Sequence, residues 1–429
     1  MKSNTLLKLS AAALALGASS ISLSAGSFQE MAEHLDLDGT LVGYMDFDGD
    51  GQEIGEKLNV IYQQFAESNP DVPPFPLDFP SMFETLGFGS IRSLGMSATE
   101  VDEGLFRNRS VTLLEGDPTG LMGMYGLDTI PFRSALLAPA DATTVMSGRV
   151  DFNALASTIQ ILASQVMGPM GEGMVMQGLS QPIPGTELLA SEVITALSGG
   201  MDAIVSQDFS NPQMPDLKVW VSLHGAGSLL PKLEPMLTQM GIQFMETESG
   251  RVADLSMLMQ GAPFGLFVQA PSDSDGLILY TDAEWVSTFG NASSRLADTE
   301  KFKSVAGRLP ESAAFYAYSS GFDPDQLLGM LENNPEVAPF APLISNAVNS
   351  LFGGFLAPSA SATFREGDAL ITEGYAGFSY KGALMALPAG IGAGVGAGIA
   401  AQKSAEAQAA AWEDEAEEVM EDNMSEPEE

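Results

Sequence analysis

Residues 309–328, LPESAAFYAYSSGFDPDQLL, decide how the chain is read. Ala314 to Ser320 is aromatic and small and carries no charge, the composition of a β-strand packed on at least one face. Asp323 follows where a helix N-cap belongs, with Pro324 at the first helical position and Asp325 in the first turn. Leu327, Leu328 and Met330 then open an apolar helical face. The stretch spells strand, sharp turn, helix.

Two earlier stretches echo it. In PADATTVMSGRVDFNAL (139–155), Pro139 precedes Pro310 by 171 residues and Asp151 precedes Asp323 by 172. In LVGYMDF (41–47), Gly43, Asp46 and Phe47 each precede Gly148, Asp151 and Phe152 by 105. Helical sequence follows each copy, and then a hairpin pattern: 91–114 with its turn at Asp102-Glu103-Gly104, 201–223 around Asn211-Pro212, and 359–380 at Glu366-Gly367-Asp368. Ser97-Ala98-Thr99 recurs as Ser361-Ala362-Thr363. Capping alone also selects Asp at strand-to-helix turns, so identity at a few positions has a second explanation. Taken together, the pattern predicts an α+β fold of three pseudo-repeats of strand, helices and β-hairpin. These would form a curved, mainly antiparallel sheet with helices packed on it. The expected units are 26–142, 143–265 and 266–381.

The ends of the chain differ from its body. Residues 1–25 carry Lys2 and Lys8, an apolar run from Leu9 to Ala18 and then small residues, the pattern of a secretory signal peptide cleaved near Ser24 or Ala25. Residues 382–401, GALMALPAGIGAGVGAGIAA, hold no charge between Lys381 and Lys403. As a helix they would reach ~30 Å, the hydrocarbon thickness of a bilayer. Gly390, Gly394 and Gly398 recur every fourth residue, the spacing that lets helices approach closely in lipid. The expectation is a C-terminal apolar, membrane-inserted helix that self-associates. A Gly-rich loop buried against the body is the alternative. The tail, 402–429, carries eleven acids and one Lys.

The net charge is −38, of which −30 belongs to the body between signal and tail. Such a surface repels phosphate backbones, which excludes nucleic acid as a partner. It also repels anionic headgroups, so any membrane contact must be hydrophobic. There is no cysteine, hence no disulfide, thiol catalysis or N-terminal lipid attachment through Cys.

Four motifs bear on chemistry. HLDLDGTL (34–41) resembles the first motif of the haloacid-dehalogenase phosphatases over six residues. That resemblance would make Asp36 a nucleophile and Asp38 an acid/base in a metal-dependent phosphohydrolase. The preceding residues 28–34 are polar and helix-like rather than a buried strand, which favours a simple turn. Asp46, Asp48 and Asp50 with Gly51 match the first half of a calcium loop, since carboxylates on alternate residues can converge on one cation. Lys57 stands where the bidentate Glu belongs, so the expectation is at most a weak calcium site. Their other reading is charge complementation of the following helix. MGPMGEGMVMQG (167–178) offers thioethers for Cu(I), but no His or Cys lies nearby, and it reads as a flexible loop or apolar groove. His224 ends the alternating strand 217–223 and reads as a capping or surface residue, with no Ser/Asp partner pattern beside it. Gln52 to Ala66 forms an amphipathic helix with Ile54, Leu58, Ile61 and Phe65 on one face.

Residues 275–328 carry a wider resemblance. Thr281-Asp282, Leu296-Ala297-Asp298, Phe302, Leu309-Pro310 and the aromatic strand Phe315 to Tyr318 follow one another in an order similar to an uncharacterised family of bacterial exported proteins. The resemblance implies an α+β envelope protein and brings no activity with it. Independently, Thr299-Glu300 reads as a capped helix start and Phe302 as a core anchor. Three functions are compatible with these features. The first is a non-catalytic, membrane-anchored scaffold or binding module of the cell envelope. The second is a carrier of an apolar or lipid-like ligand, and the third is the phosphohydrolase.

Overall fold

The computed structural model describes residues 25–69, 77–124, 128–208, 216–259, 264–289, 295–322, 328–329, 338 and 341–385. Asp323, Pro324, Asp325, Asn211, Pro212, Gly390, Gly394 and Gly398, the signal segment and the acidic tail lie outside them. The first part of the chain holds α1 (Ala25–Ala32), β1 (Leu41–Asp46), α2 (Asp50–Ser68), α3 (Phe79–Thr85), β2 (Ile91–Asp102) and β3 (Leu105–Leu114). There follow α4 (Arg133–Leu137), β4 (Thr144–Gly148), α5 (Phe152–Met167), α6 (Pro169–Ser180), α7 (Ala190–Leu197), β5 (Met201–Asp208) and β6 (Asp216–His224). Next come α8 (Leu230–Gln239), β7 (Phe244–Thr247), β8 (Gly250–Asp254), β9 (Phe267–Pro271) and β10 (Gly276–Tyr280). The last part is α9 (Ala283–Ser287), α10 (Glu300–Ala306), β11 (Phe315–Ser319), α11 (Ala341–Leu356), β12 (Ser359–Glu366) and β13 (Ala369–Ala376).

The fold is α+β, and among the described residues 13 strands form one antiparallel sheet in the order β1-β2-β3-β13-β12-β11-β4-β5-β6-β10-β9-β8-β7. The expected hairpins are present as β2–β3, β5–β6 and β12–β13. Each lies next to the strand that precedes its helices, giving the blocks β1-β2-β3, β4-β5-β6 and β11-β12-β13. The blocks do not follow one another in chain order. β13 pairs along its whole length with β3, from Ala369↔Leu113 to Ala376↔Phe106, and β11 pairs with β4. The last block therefore sits between the first two. β7 to β10 form a further meander that the repeat pattern did not anticipate, and β9, beyond the expected boundary at 265, pairs with β8 before it.

One face of the sheet is closed. Ala135 of α4, Trp285 of α9, and Phe302, Val305 and Ala306 of α10 pack against Val145, Ile204, Trp220, Tyr280 and Tyr318. Met31 of α1, with Leu35 just beyond it, covers Val111, Leu113, Ala369 and Ile371. The quoted strand explains this centre. β11 sends Tyr316 and Tyr318 into the closed face, where Tyr316 stacks on Phe132 with centroids 4.8 Å apart and donates its hydroxyl to the Pro310 carbonyl at 2.7 Å. Tyr318 meets the Phe302 ring at 5.0 Å. Phe302 is aimed by its cap, since the Thr299 hydroxyl accepts its backbone N–H at 3.2 Å. Burial pushes both phenols up to about 12.

Among the described residues the opposite face is covered mainly at one end. α7 and α8 bury Ala196, Leu230 and Leu237 against Ala253, Val268 and Leu277. α5 is joined to α7 where Thr195 donates to Asn153 Oδ1 at 3.1 Å, and to α3 where Gln165 Nε2 donates to Thr85 at 2.7 Å.

Two expectations change here. The Met- and Gly-rich stretch is helical: Gly168, at φ 64°, separates α5 from α6, and Pro169 takes the first position of α6. The amphipathic helix α2 turns the other way round. The residues it buries are Gly51 and Gly55. At Gly55 the α3 backbone comes so close that a Cβ would lie 2.6 Å from the Pro80 nitrogen. Ile54, Ile61 and Phe65 point away from the protein, Ile61 being 60% and Phe65 54% exposed, while Leu58 of the same expected face stays half-buried beside the glycine side.

Candidate functional site

On the partly covered face a register row crosses the middle of the sheet: Met146, Ala317, Ser361, Gly374 and Asn108 stand side by side on β4, β11, β12, β13 and β3. Residues opposite one another in an antiparallel ladder share a face. Four of these five are small or short, so the row is a shallow floor rather than a packed layer. Above it lies a groove of about 260 Å³. Its lining contains no charged side chain, in a protein of net charge −38.

The wall of the groove is made by the chain as it leaves the sheet. Asn108 Nδ2 donates to the Phe378 carbonyl at 2.9 Å, and the Tyr380 backbone N–H donates to Asn108 Oδ1 at 2.8 Å. One buried amide thus clamps two turns of backbone. Phe378 stacks on Phe355 of α11 with centroids 4.1 Å apart. Burial pushes the Tyr380 phenol up. Residues 380–385 then begin a helix, with Leu384 and Met385 exposed. The uncharged C-terminal segment therefore starts on this face, at the groove, with no intervening linker.

The closed face carries a different row. Ser97, Arg109, Glu373, Ala362, Tyr316, Ser147, Asp202, Ser222, Ile278 and Gln269 are successive register neighbours across ten strands. Several are polar, and Ser97, Glu373, Ser147, Asp202 and Gln269 are buried. Their groups satisfy one another. Arg109 Nε donates to Glu373 at 2.6 Å and the Tyr375 hydroxyl donates to the same carboxylate at 2.9 Å. Burial first, and Glu373 second, push the Tyr375 phenol up.

Asp202, 2% exposed, accepts the Ser147 hydroxyl at 2.6 Å and lies 2.8 Å from His224 Nε2. Ser147 Oγ in turn is 2.9 Å from Ser134 Oγ, and Arg133 Nη1 is 3.3 Å from His224 Nδ1. An Nε2–H imidazole satisfies both of its neighbours, donating to Asp202 and accepting from Arg133. His224 therefore does have an Asp partner, and through it a Ser, which the sequence hid because Ser147 and Asp202 come from β4 and β5, 77 and 22 residues away. The order is not that of a nucleophilic triad. The carboxylate stands between serine and histidine, and Ser147 is fully buried with its proton on Asp202.

At the phosphatase-like motif the chain makes a turn, not a strand end. Asp36 receives two guanidinium N–H groups of Arg107, Nε at 2.9 Å and Nη2 closer still, and its own backbone N–H donates to Ser97. The motif precedes edge strand β1 in an antiparallel sheet, whereas the chemistry needs it at the end of a buried strand. Asp36 is a tether between the α1–β1 turn and β3.

Asp46 closes β1, Gly49 enters α2 at φ 78°, and the Asp48 N–H donates to Asp46 Oδ1 at 3.3 Å. Asp50 sits in the first turn of α2 with Glu53, which complements the helix dipole. Among the described residues no group of three or more His, Asp or Glu is gathered tightly enough to hold a metal, and Asp46, Asp48 and Asp50 do not make one. Among the described residues, no helix is long and apolar enough to cross a membrane. No family model, no curated protein and no solved structure matches the chain.

Proposed function

We propose that the chain is an exported bacterial cell-envelope protein, anchored in a membrane by residues 382–401, that acts without catalysis as a scaffold or binding module. In this reading it is built from three internal copies of one strand–helices–hairpin unit. The signal pattern places its body outside the cytoplasm, in the periplasm, and Gly390, Gly394 and Gly398 are the faces on which anchors of neighbouring copies meet. The resemblance of residues 275–328 to exported bacterial proteins agrees with that placement.

The observation that carries the reading is the continuous 13-stranded sheet with an uncharged, open middle on the face from which the C-terminal segment departs. The buried acids Glu373 and Asp202 and the half-buried Asp36, by contrast, are spent on internal partners: Asp36 on Arg107, Glu373 on Arg109, Asp202 on Ser147 and His224. A carrier of apolar ligands is the second reading, favoured by the same uncharged groove. At about 260 Å³ the groove falls below the ~300–1,000 Å³ usual for small-molecule sites and could not enclose an acyl chain.

The test is carbonate extraction of membranes from cells making either the full chain or one ending at Lys381. The full chain should remain in the pellet and the shorter one should leave it. Full-length protein in the soluble fraction would overturn the anchor. Mass spectrometry of protein purified without denaturant addresses the carrier, since a stoichiometric co-purifying lipid would replace the scaffold reading.

A further inference from the structure

Four helices form one layer beside the sheet: α2 packs on α3, α3 on α5 through Gln165, and α5 on α6. Their exposed surface is rich in large apolar side chains. Ile54, Ile61 and Phe65 lie along one side of α2, and Met170 and Met174 lie one turn apart on α6, with Met170 69% exposed; Ile159 and Ile161, on opposite sides of α5, and Met176 are exposed as well. From Phe152 to Ser180 the only charged residue is Glu172, in a chain whose residues are 17% charged. Large exposed apolar surfaces of this kind mark contact sites. The orientation of α2 is the sharper signal, since the helix buries Gly51 and Gly55 and exposes Ile54, Ile61 and Phe65.

The charge pattern restricts that partner. A basic protein would be met by acids, of which α5 and α6 together hold one, Glu172; the other acids of this layer, Glu53, Glu56 and Glu67 among them, are on α2 and α3. An anionic lipid would be met by lysines and arginines, and α5 and α6 have none. Position restricts it further. α7 covers the same face of the sheet on which Asn108 clamps residues 378–380, and α5 is joined to α7. The helical layer and the start of the uncharged C-terminal segment are therefore on one side of the sheet. With no linker between β13 and that segment, an inserted segment holds this side against the bilayer.

We propose that the outward surface of α2, α5 and α6 is a membrane-docking surface that lies on the headgroup–acyl boundary of uncharged lipid, with Met170, Met174, Ile61 and Phe65 as its inserted side chains. The proposal rests on the membrane reading above and adds the orientation of the body. Methionine suits the role, being flexible enough to fit a fluid surface.

The absence of cysteine makes the test clean. Single Met174→Cys and Glu103→Cys variants of the mature full chain are labelled with an environment-sensitive fluorophore and placed in phosphatidylcholine vesicles. The label at 174 should blue-shift and be quenched several-fold by doxyl lipids, equally in low and high salt. The label at 103, at the β2–β3 turn, should do neither. A label at 174 that stays aqueous on vesicle-bound protein overturns the docking surface. So does a blue shift present without vesicles, which points to a second copy if it grows with protein concentration and to the chain's own tail if it does not.

Met170→Glu with Met174→Glu, read by a label at Ile61→Cys, should abolish the shift while the chain stays carbonate-resistant. Gly394→Asp should have the opposite pattern, with resistance lost. Docking and anchoring thus fail separately. Both glutamates fall on exposed positions, and an unchanged thermal unfolding profile confirms the fold.

Discussion

Helices α10 and α2 invite comparison because each begins with a strong start signal and carries an apolar face. α10 is seven residues long, is capped by Thr299, and buries Phe302, Val305 and Ala306. α2 has 19 residues, starts at a left-handed glycine, and buries only Gly51 and Gly55. The short helix spends its apolar face on the sheet and the long one keeps its face for something else. Periodicity reveals that a helix has an apolar side but not which way that side points. Direction is set by the smallest residues, because close backbone approach at Gly55 leaves Ile61 and Phe65 nowhere to go but out.

The largest effect should come from the inward helix. Phe302 touches the rings of both Phe132 and Tyr318. Phe302→Ala should cost about 3–5 kcal/mol of unfolding free energy, measured by urea titration, because the sheet beneath cannot collapse into the vacated space. A loss under about 1 kcal/mol would mean that α10 holds its face no more firmly than α2 does.

Next is pH. α10 closes over Tyr316 and Tyr318, whose folded pKa values of about 12 exceed the unfolded value of 10. The folded state then holds protons that the unfolded state releases, so this stability is fully present below pH 10 and is lost as pH rises toward 12. Each phenol contributes about 2–3 kcal/mol to that loss. Denaturant unfolding between pH 9 and 12 should show the decline, and Tyr318→Phe should remove about half of it. Alkaline stability equal to that at pH 9 would show that these rings are not sealed.

These two sites also mark what was legible beforehand. The aromatic strand, the Thr299 cap, the Phe302 anchor and the hairpins at 91–114 and 359–380 follow from local pattern, because turns and caps are written within a few residues. The neighbour relations were not legible. Nothing in 369–376 announces that it pairs with 106–113, and the meander β7–β10 has strands of four or five residues, too short for alternation to stand out. The Asp202–His224 contact was missed for the same reason, being a product of sheet register. At Asp46, Asp48 and Asp50 the reverse holds, since ligand spacing is legible in the sequence and the loop that would gather the carboxylates is not.

Smaller again is the glycine that turns α2 round. Gly55→Ala places a methyl against the Pro80 backbone, which cannot yield as a flexible side chain would. The expected cost is about 1–3 kcal/mol despite the better helix propensity of alanine, because overpacking outweighs the ~1 kcal/mol helical gain. A stabilised variant in thermal unfolding would show that α2 and α3 are not in such close contact, and the explanation for the inverted helix would go with it.

The smallest effect is the most telling. Ile61→Ser and Phe65→Ser together remove two large apolar side chains from one helix face. In α10 such a change would unfold much of the core. In α2 both side chains are more than half exposed, and the helix is held instead through Gly51, Gly55, the Asn59 Oδ1 that accepts the Phe79 N–H and the Tyr62 ring against Phe79. Exposed substitutions of this sort shift stability by about 0.5 kcal/mol or less each. Urea unfolding of the double variant in aqueous buffer should therefore coincide with that of the parent chain to within about 1 kcal/mol. A loss of several kcal/mol would mean that this face is packed within the folded chain. The two helices would then be alike, and the outward surface would need no partner.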